Sequence, residues 1–131
     1  MSKLNRLFKE YRPTVIVFDQ LDKVYGYDKE DREDIALGKL YAWAREKARE
    51  GAVVLAISQV DATGEGVEYL NMSQLRGSKT DKQGEADAII TIGRSGDVAK
   101  AGKRYIHVPK NKVLGGAGSR EEFRHGYFEV D

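Results

Sequence analysis

Two uninterrupted apolar runs, each closed by a hydrogen-bonding side chain, constrain this chain more than any other feature. Thr14-Val15-Ile16-Val17-Phe18 ends in Asp19, and Ala52-Val53-Val54-Leu55-Ala56-Ile57-Ser58 ends in Gln59. Apolar runs without period-two alternation mark strands buried inside a parallel sheet. Pro13 sets the start of the first. Between the runs, from Asp31 to Glu50, the apolar residues Leu37, Leu40, Tyr41, Ala44 and Ala48 recur at helical spacing, with acids early, bases late and Gly51 as the stop. Strand, amphipathic helix and strand form a right-handed crossover unit of a parallel sheet, so the expected fold class is α/β.

The 131 residues suit one domain with a single core. Gly64 and Gly66 put the stretch from Asp61 to Asn71 in a mobile loop, and Met72 to Lys79 supplies a short helical turn. Three further strands are expected: Ala86 to Gly93, Lys103 to Pro109, and His125 to Val130. Gly115-Gly116-Ala117-Gly118 is turn material, which makes the last two a hairpin or an antiparallel extension. There is no cysteine, which excludes disulfides and thiolate metal sites and makes the cytoplasm the expected compartment. With 22 Lys and Arg against 21 Asp and Glu, no global field favours nucleic acid, so any DNA contact is local. No stretch approaches the roughly 20 apolar residues that span a bilayer, so no membrane partner is expected.

In open α/β sheets ligands bind beyond the carboxyl ends of the strands. Asp19 stands at one such end, where a carboxylate is costly unless it meets a cation such as hydrated Mg²⁺, the Walker B arrangement. A strand-terminal Asp that caps a turn explains the same residue equally well. Gln59 stands at the neighbouring end, where an amide orients water and senses a γ-phosphate. His107 and His125 lack metal-ligand spacing and read as packing or surface residues. Tyr41 and Trp43 read as helix-packing residues, and Lys29 to Asp34 as a solvated helix start.

The order of the whole set is more specific. Asp19, Gln59, Leu75-Arg76-Gly77-Ser78, Gln83, Glu85-Ala86-Asp87 and Lys110-Asn111-Lys112 together resemble the helicase motifs of the DnaB family, closest to phage primase-helicases and the mitochondrial Twinkle-type helicase. The resemblance covers nearly the whole chain. It implies a RecA-like core, a mostly parallel sheet with C-terminal antiparallel strands, that hydrolyses ATP or another nucleoside triphosphate with Mg²⁺ and translocates on single-stranded DNA as a ring, expected to be a hexamer. It also implies that Asp19 serves Mg²⁺ and that Gln59 couples the γ-phosphate to a DNA-binding loop. Arg76, Gly77, Lys79 and Lys82 are the implied DNA contacts, which need positive charge and close backbone approach; a merely solvated charged loop is the alternative. Lys110 and Lys112 fall where the family carries Lys-x-Arg, whose Arg reaches the neighbouring subunit's γ-phosphate, and Arg94 matches a position that stacks on the nucleotide base.

Departures from the family pattern are visible. Lys112 in place of the finger Arg keeps the charge and loses the bidentate fork. One extra residue lies between Ser78 and Asp87. Asp61, Glu65 and Glu68 make the loop after Gln59 acidic, where some relatives have lysines. No Gly-x-x-x-x-Gly-Lys-Ser/Thr is present: the string from Gly96 to Lys103 is one residue too long, is followed by Arg104 and leads into a strand. Phosphate loop and catalytic base are therefore expected outside this chain, upstream of Asp19, which leaves it truncated on the N-terminal side and inactive alone. Two rivals remain: a RecA/RadA-like or KaiC-like ATPase, and a non-catalytic DNA-binding module.

Overall fold

The computed structural model describes residues 2–24, 33–76, 79–113 and 124–130. The chain divides into two compact units, one of Met1–Gln59 with Thr80–Glu85 and one of Val60–Lys79 with Ala86–Asp131.

The first unit opens with a helix that the sequence reading left unassigned, α1 (Ser2–Tyr11). Leu4, Asn5 and Phe8 turn inward at helical spacing, and Leu4 packs on the core. Proline cannot continue a helix, so α1 stops before Pro13, with Arg12 at a left-handed φ of 44°. Two strands follow in parallel, β1 (Val15–Phe18) and β2 (Val53–Ala56), in a register that sets Val15 beside Val53 and Phe18 beside Ala56. Between them runs α2 (Glu33–Arg49). Its end is a Schellman motif: Ala52 N–H donates to Lys47 C=O (3.3 Å), Gly51 N–H donates to Ala48 C=O (3.1 Å), and Gly51 takes φ 104°. A β-carbon at that φ would be strained, so Gly51 is the stop for a backbone reason.

The core of this unit is Leu21, Leu40, Tyr41, Trp43 and Ala44, against which Leu4, Phe18, Val24 and Val54 pack. Phe18 meets Trp43 edge to face at 5.8 Å, and the Trp43 indole N–H donates to Asn5 Oδ1 at 2.7 Å. The core thus uses one face of the β1–β2 pair. On the other face Val15, Val17, Val53, Leu55 and Ile57 are each about half exposed. The expectation of strands buried on both sides is corrected in this respect: the apolar runs are present, and the described residues cover only one side.

The second unit holds an antiparallel sheet of β3 (Ala88–Gly93), β4 (Lys103–Asn111) and β5 (His125–Glu129), in the order β3-β4-β5. The antiparallel character expected of the last two strands extends to β3, whose pairing with β4 carries a bulge between Ile89 and Thr91. The turn expected at Gly115 to Gly118 and the helix start from Lys29 to Arg32 lie outside the described residues. The loop expected to be mobile is internally tied. Val60 bridges Leu75, Asp61 N–H donates to Gln74 C=O (2.8 Å), Asp61 caps a 3-10 turn at Ala62–Gly64, and the Gln74 side chain reaches Thr63 C=O (3.2 Å). Gly93 is required by close approach, because a β-carbon there would lie 2.1 Å from the Glu68 carbonyl oxygen.

Truncating the core and truncating the uncovered face should differ sharply. Leu40→Ala, at a site with no exposure, should lower unfolding free energy by about 2–5 kcal/mol, whereas Leu55→Ala should change it by about 0.5 kcal/mol or less. Urea melts read by the fluorescence of Trp43, the single tryptophan, measure both.

Candidate functional site

The carboxyl ends of β1 and β2 lie side by side, and the hydrogen-bond ladder runs past them: Ile57 N–H donates to Phe18 C=O (2.9 Å) and Leu21 N–H to Ile57 C=O (3.2 Å). Asp19 and Gln59 leave these ends with exposed side chains. Gln20, next to Asp19, has a left-handed φ of 62°, and its Oε1 is buried without a hydrogen-bond partner among the described residues. Such strain, of order 1–3 kcal/mol, persists only where surrounding structure enforces it.

Immediately beyond, in the 3-10 turn Leu21–Lys23, Asp22 gathers a polar cluster that the sequence reading missed. Its Oδ1 accepts from the Tyr41 hydroxyl at 2.7 Å. Its Oδ2 accepts from the Ser58 hydroxyl at 2.7 Å and from the Lys82 ammonium at 2.6 Å. Lys82 also donates to Ser58 Oγ at 2.8 Å and stands 5.5 Å from the centre of the Tyr41 ring. Lys82 lies on α3 (Lys79–Glu85) and is only 3% exposed. The expectation that it contacts DNA is corrected: a buried ammonium held by a carboxylate and a hydroxyl is not available to phosphate without losing both. Tyr41 is indeed buried on the helix, with a hydroxyl that serves Asp22.

Burial pushes the Asp22 carboxyl up, but hydrogen bonds from Lys82, Tyr41 and Ser58, together with the Lys82 charge, outweigh it and hold the group below the ordinary aspartate value. No three His, Cys, Asp or Glu side chains converge among the described residues.

The second unit carries the remaining expected residues. Arg76 is exposed and follows Leu75, the residue bridged to Val60; Lys79 is the first residue of α3, and Gly77 lies outside the described residues. Lys110 sits opposite Ile89 in the β3–β4 ladder. Lys112 is exposed just beyond β4, where its N–H donates to Asp87 C=O at 2.7 Å. Arg94, exposed, follows the other end of β3. The ladder therefore brings Lys110 and Lys112 together and separates them from Arg94 by the length of a six-residue strand, roughly 20 Å. His107 and His125, distant in sequence, are register partners with rings 4.6 Å apart. His107 Nδ1 and the Thr91 hydroxyl both hydrogen-bond Leu70 C=O at 2.8 Å, and Tyr69 stacks on His125 at 4.3 Å, so the histidines pack as the sequence suggests. Glu68 of the acidic loop pairs with Lys100 at 2.8 Å. Among the described residues no helix is long and apolar enough to cross a membrane.

A parallel strand pair bridged by a helix and followed by an antiparallel sheet makes a mixed α/β fold that is similar to that of known structures. Two solved structures show that likeness. One is an ATPase domain, with TM-score 0.69 at 19% identity over 85% of this chain and 42% of that chain. The other is a DnaB-like replicative helicase described with its interactions with primase, with TM-score 0.68 at 18% identity over 85% of this chain and 29% of that chain. This chain therefore spans less than half the length of either. No protein-family model and no curated protein matches the sequence.

The depressed Asp22 pKa carries a signed consequence. A carboxyl whose pKa falls on folding contributes stability above its unfolded value, and that stability is lost as pH drops from about 4 through the folded value. At pH 7 Asp22→Asn should be less stable than the native chain by about 3–5 kcal/mol, because Lys82 is left buried without a counter-charge. Denaturation at stepped pH should show the gap closing below pH of about 4. A constant gap would place the Asp22 contribution elsewhere.

Proposed function

We propose that this chain supplies the C-terminal part of the nucleotide-driven motor of a DnaB-like replicative helicase, working on single-stranded DNA with the phosphate loop provided by other polypeptide. The observation that carries this reading is Asp19 and Gln59 at the carboxyl ends of adjacent, in-register parallel strands, in a fold shared with helicase ATPase domains. Carboxyl ends are where α/β folds hold ligands. An exposed carboxylate with hard oxygens suits the hydration shell of Mg²⁺. When bound, the ion would neutralise phosphate charge. Asp19 orients its water shell, and Gln59 contacts the γ-phosphate side.

The apolar face of β1 and β2 that the described residues leave uncovered agrees with this reading. Parallel sheets are ordinarily covered on both faces, and polypeptide bearing a phosphate loop would bring the missing cover. Arg76 and Lys79 supply positive charge for the DNA strand. Lys110 and Lys112, paired at one strand end, act in trans on nucleotide held by the adjacent subunit of a hexameric ring. Arg94 stacks on the nucleotide base, a role that its distance from Lys110 and Lys112 along β3 supports. Lys82 is removed from the DNA-binding set.

Two outcomes test the reading. The chain alone should hydrolyse no ATP, with or without single-stranded DNA, because Asp19 and Gln59 cannot by themselves hold phosphates; turnover abolished by Asp19→Ala would overturn this. In single-strand binding at stepped salt, Arg76→Ala should flatten the dependence by roughly one phosphate contact. An unchanged slope would make Arg76 structural.

A further inference from the structure

We infer that Ser58 is a positioning residue: through Asp22 and Lys82 its hydroxyl fixes the spacing of the β1 and β2 carboxyl ends, so that Asp19 and Gln59 meet one nucleotide together. The inference rests on the reading of Asp19 and Gln59 given above, and goes beyond it by assigning a role to a side chain that acts on them. All of these residues belong to the first unit.

Two backbone bonds tie the strand ends at Ile57. Its N–H donates to Phe18 C=O and its C=O accepts from Leu21 N–H, so Asp19 and Gln20 lie between two fixed points, while Gln59 stands two residues past Ile57. From there side chains make the tie. Ser58 Oγ donates to Asp22 Oδ2 at 2.7 Å and accepts from Lys82 Nζ at 2.8 Å, and Lys82 closes the triangle on Asp22 Oδ2 at 2.6 Å. Both of these bonds to the β2 side pass through one hydroxyl.

The triangle is stiff for a physical reason. A hydroxyl that donates once and accepts once is oriented from both sides, and an ammonium on a residue 3% exposed has little water to take its partners' place. Tyr41 holds the other carboxylate oxygen from α2 at 2.7 Å, which keeps Asp22 from rotating away. Ser58 directly precedes Gln59, and Asp22 follows Asp19 by three residues. The triangle therefore sets the separation of the two backbones that carry those exposed side chains. Groups that act on one ligand must be held to about 0.5 Å, a tolerance that a junction of fixed bonds supplies.

A merely structural Ser58 would change stability and leave that separation alone, so the test reads the separation. The chain has no cysteine, so nitroxide labels on Asp19→Cys and Gln59→Cys are the only two, and electron paramagnetic resonance gives the distribution of distances between them. The distribution should be narrow with Ser58 in place, at least twice as wide in Ser58→Ala, and narrow again in Ser58→Thr, which keeps the hydroxyl. Trp43 fluorescence reports whether each variant is folded; if Ser58→Ala is not, Lys82→Met decides by the same criterion. A distribution that is unchanged in the deciding variant, already wide with Ser58 in place, or widened as much by Ser58→Thr overturns the positioning role and leaves the reading of Asp19 and Gln59 standing. Turnover is then measured for the unlabelled chain mixed with polypeptide bearing a phosphate loop. The deciding variant should lower it roughly tenfold or more, and native turnover in that variant overturns the positioning role alone. A mixture that hydrolyses no ATP, or hydrolyses it equally well with Asp19→Ala, overturns the reading of Asp19 and Gln59, and the positioning role with it.

Discussion

The Asp22–Lys82 ion pair is the contact on which the polar end of the first unit depends. Two opposite charges sit where water is largely excluded, and each is tolerated only because the other is there. Ser58 and Tyr41 complete the hydrogen bonding, so that strand end, helix α2, helix α3 and the turn after β1 meet on one carboxylate. The apolar core beneath it, with Leu21 and Leu40 fully buried, provides most of the cohesion. What the ion pair adds is a fixed polar junction, in which the turn after β1 is joined to Ser58 beyond β2 and to α3.

Much of the first unit was legible from the order of residues. Continuous apolar runs and a 3.6-residue stripe require a parallel pair bridged by a helix, and both are found, with Gly51 ending α2 as its backbone conformation demands. Helix α1 was missed although Leu4 and Phe8 carry a helical spacing, because a short segment before a proline offers too few turns for the period to stand out. The antiparallel pairing of β4 with β5 followed from the glycine-rich turn between them. That β3 joins them was not visible, since a strand's partner is a long-range choice.

The candidate site was legible in part. Strand-end residues announce themselves by position, and the structure has Asp19 and Gln59 exposed beyond the ends of β1 and β2. Lys82 was misread because a lysine in a polar stretch looks solvated, and the partner that buries it is 60 residues away. Asp22 was overlooked for the same reason, since nothing local distinguishes it from a surface aspartate. The histidine pair shows the converse: His107 and His125 are remote in sequence and adjacent in register, yet packing rather than ligation explains them, with a backbone carbonyl and Tyr69 as partners.

The strand face that the described residues leave uncovered and the exposed Asp19 and Gln59 both bear on the proposal that further polypeptide supplies the phosphate loop. The most direct measurement supplies that polypeptide. A strand–phosphate-loop–helix segment taken from a RecA-like motor is mixed with this chain, and association and ATP hydrolysis are followed together. Turnover that needs both components and is lost in Asp19→Ala is the expected result. Association without hydrolysis, or hydrolysis indifferent to Asp19, would contradict a role for this chain in a nucleotide-driven motor.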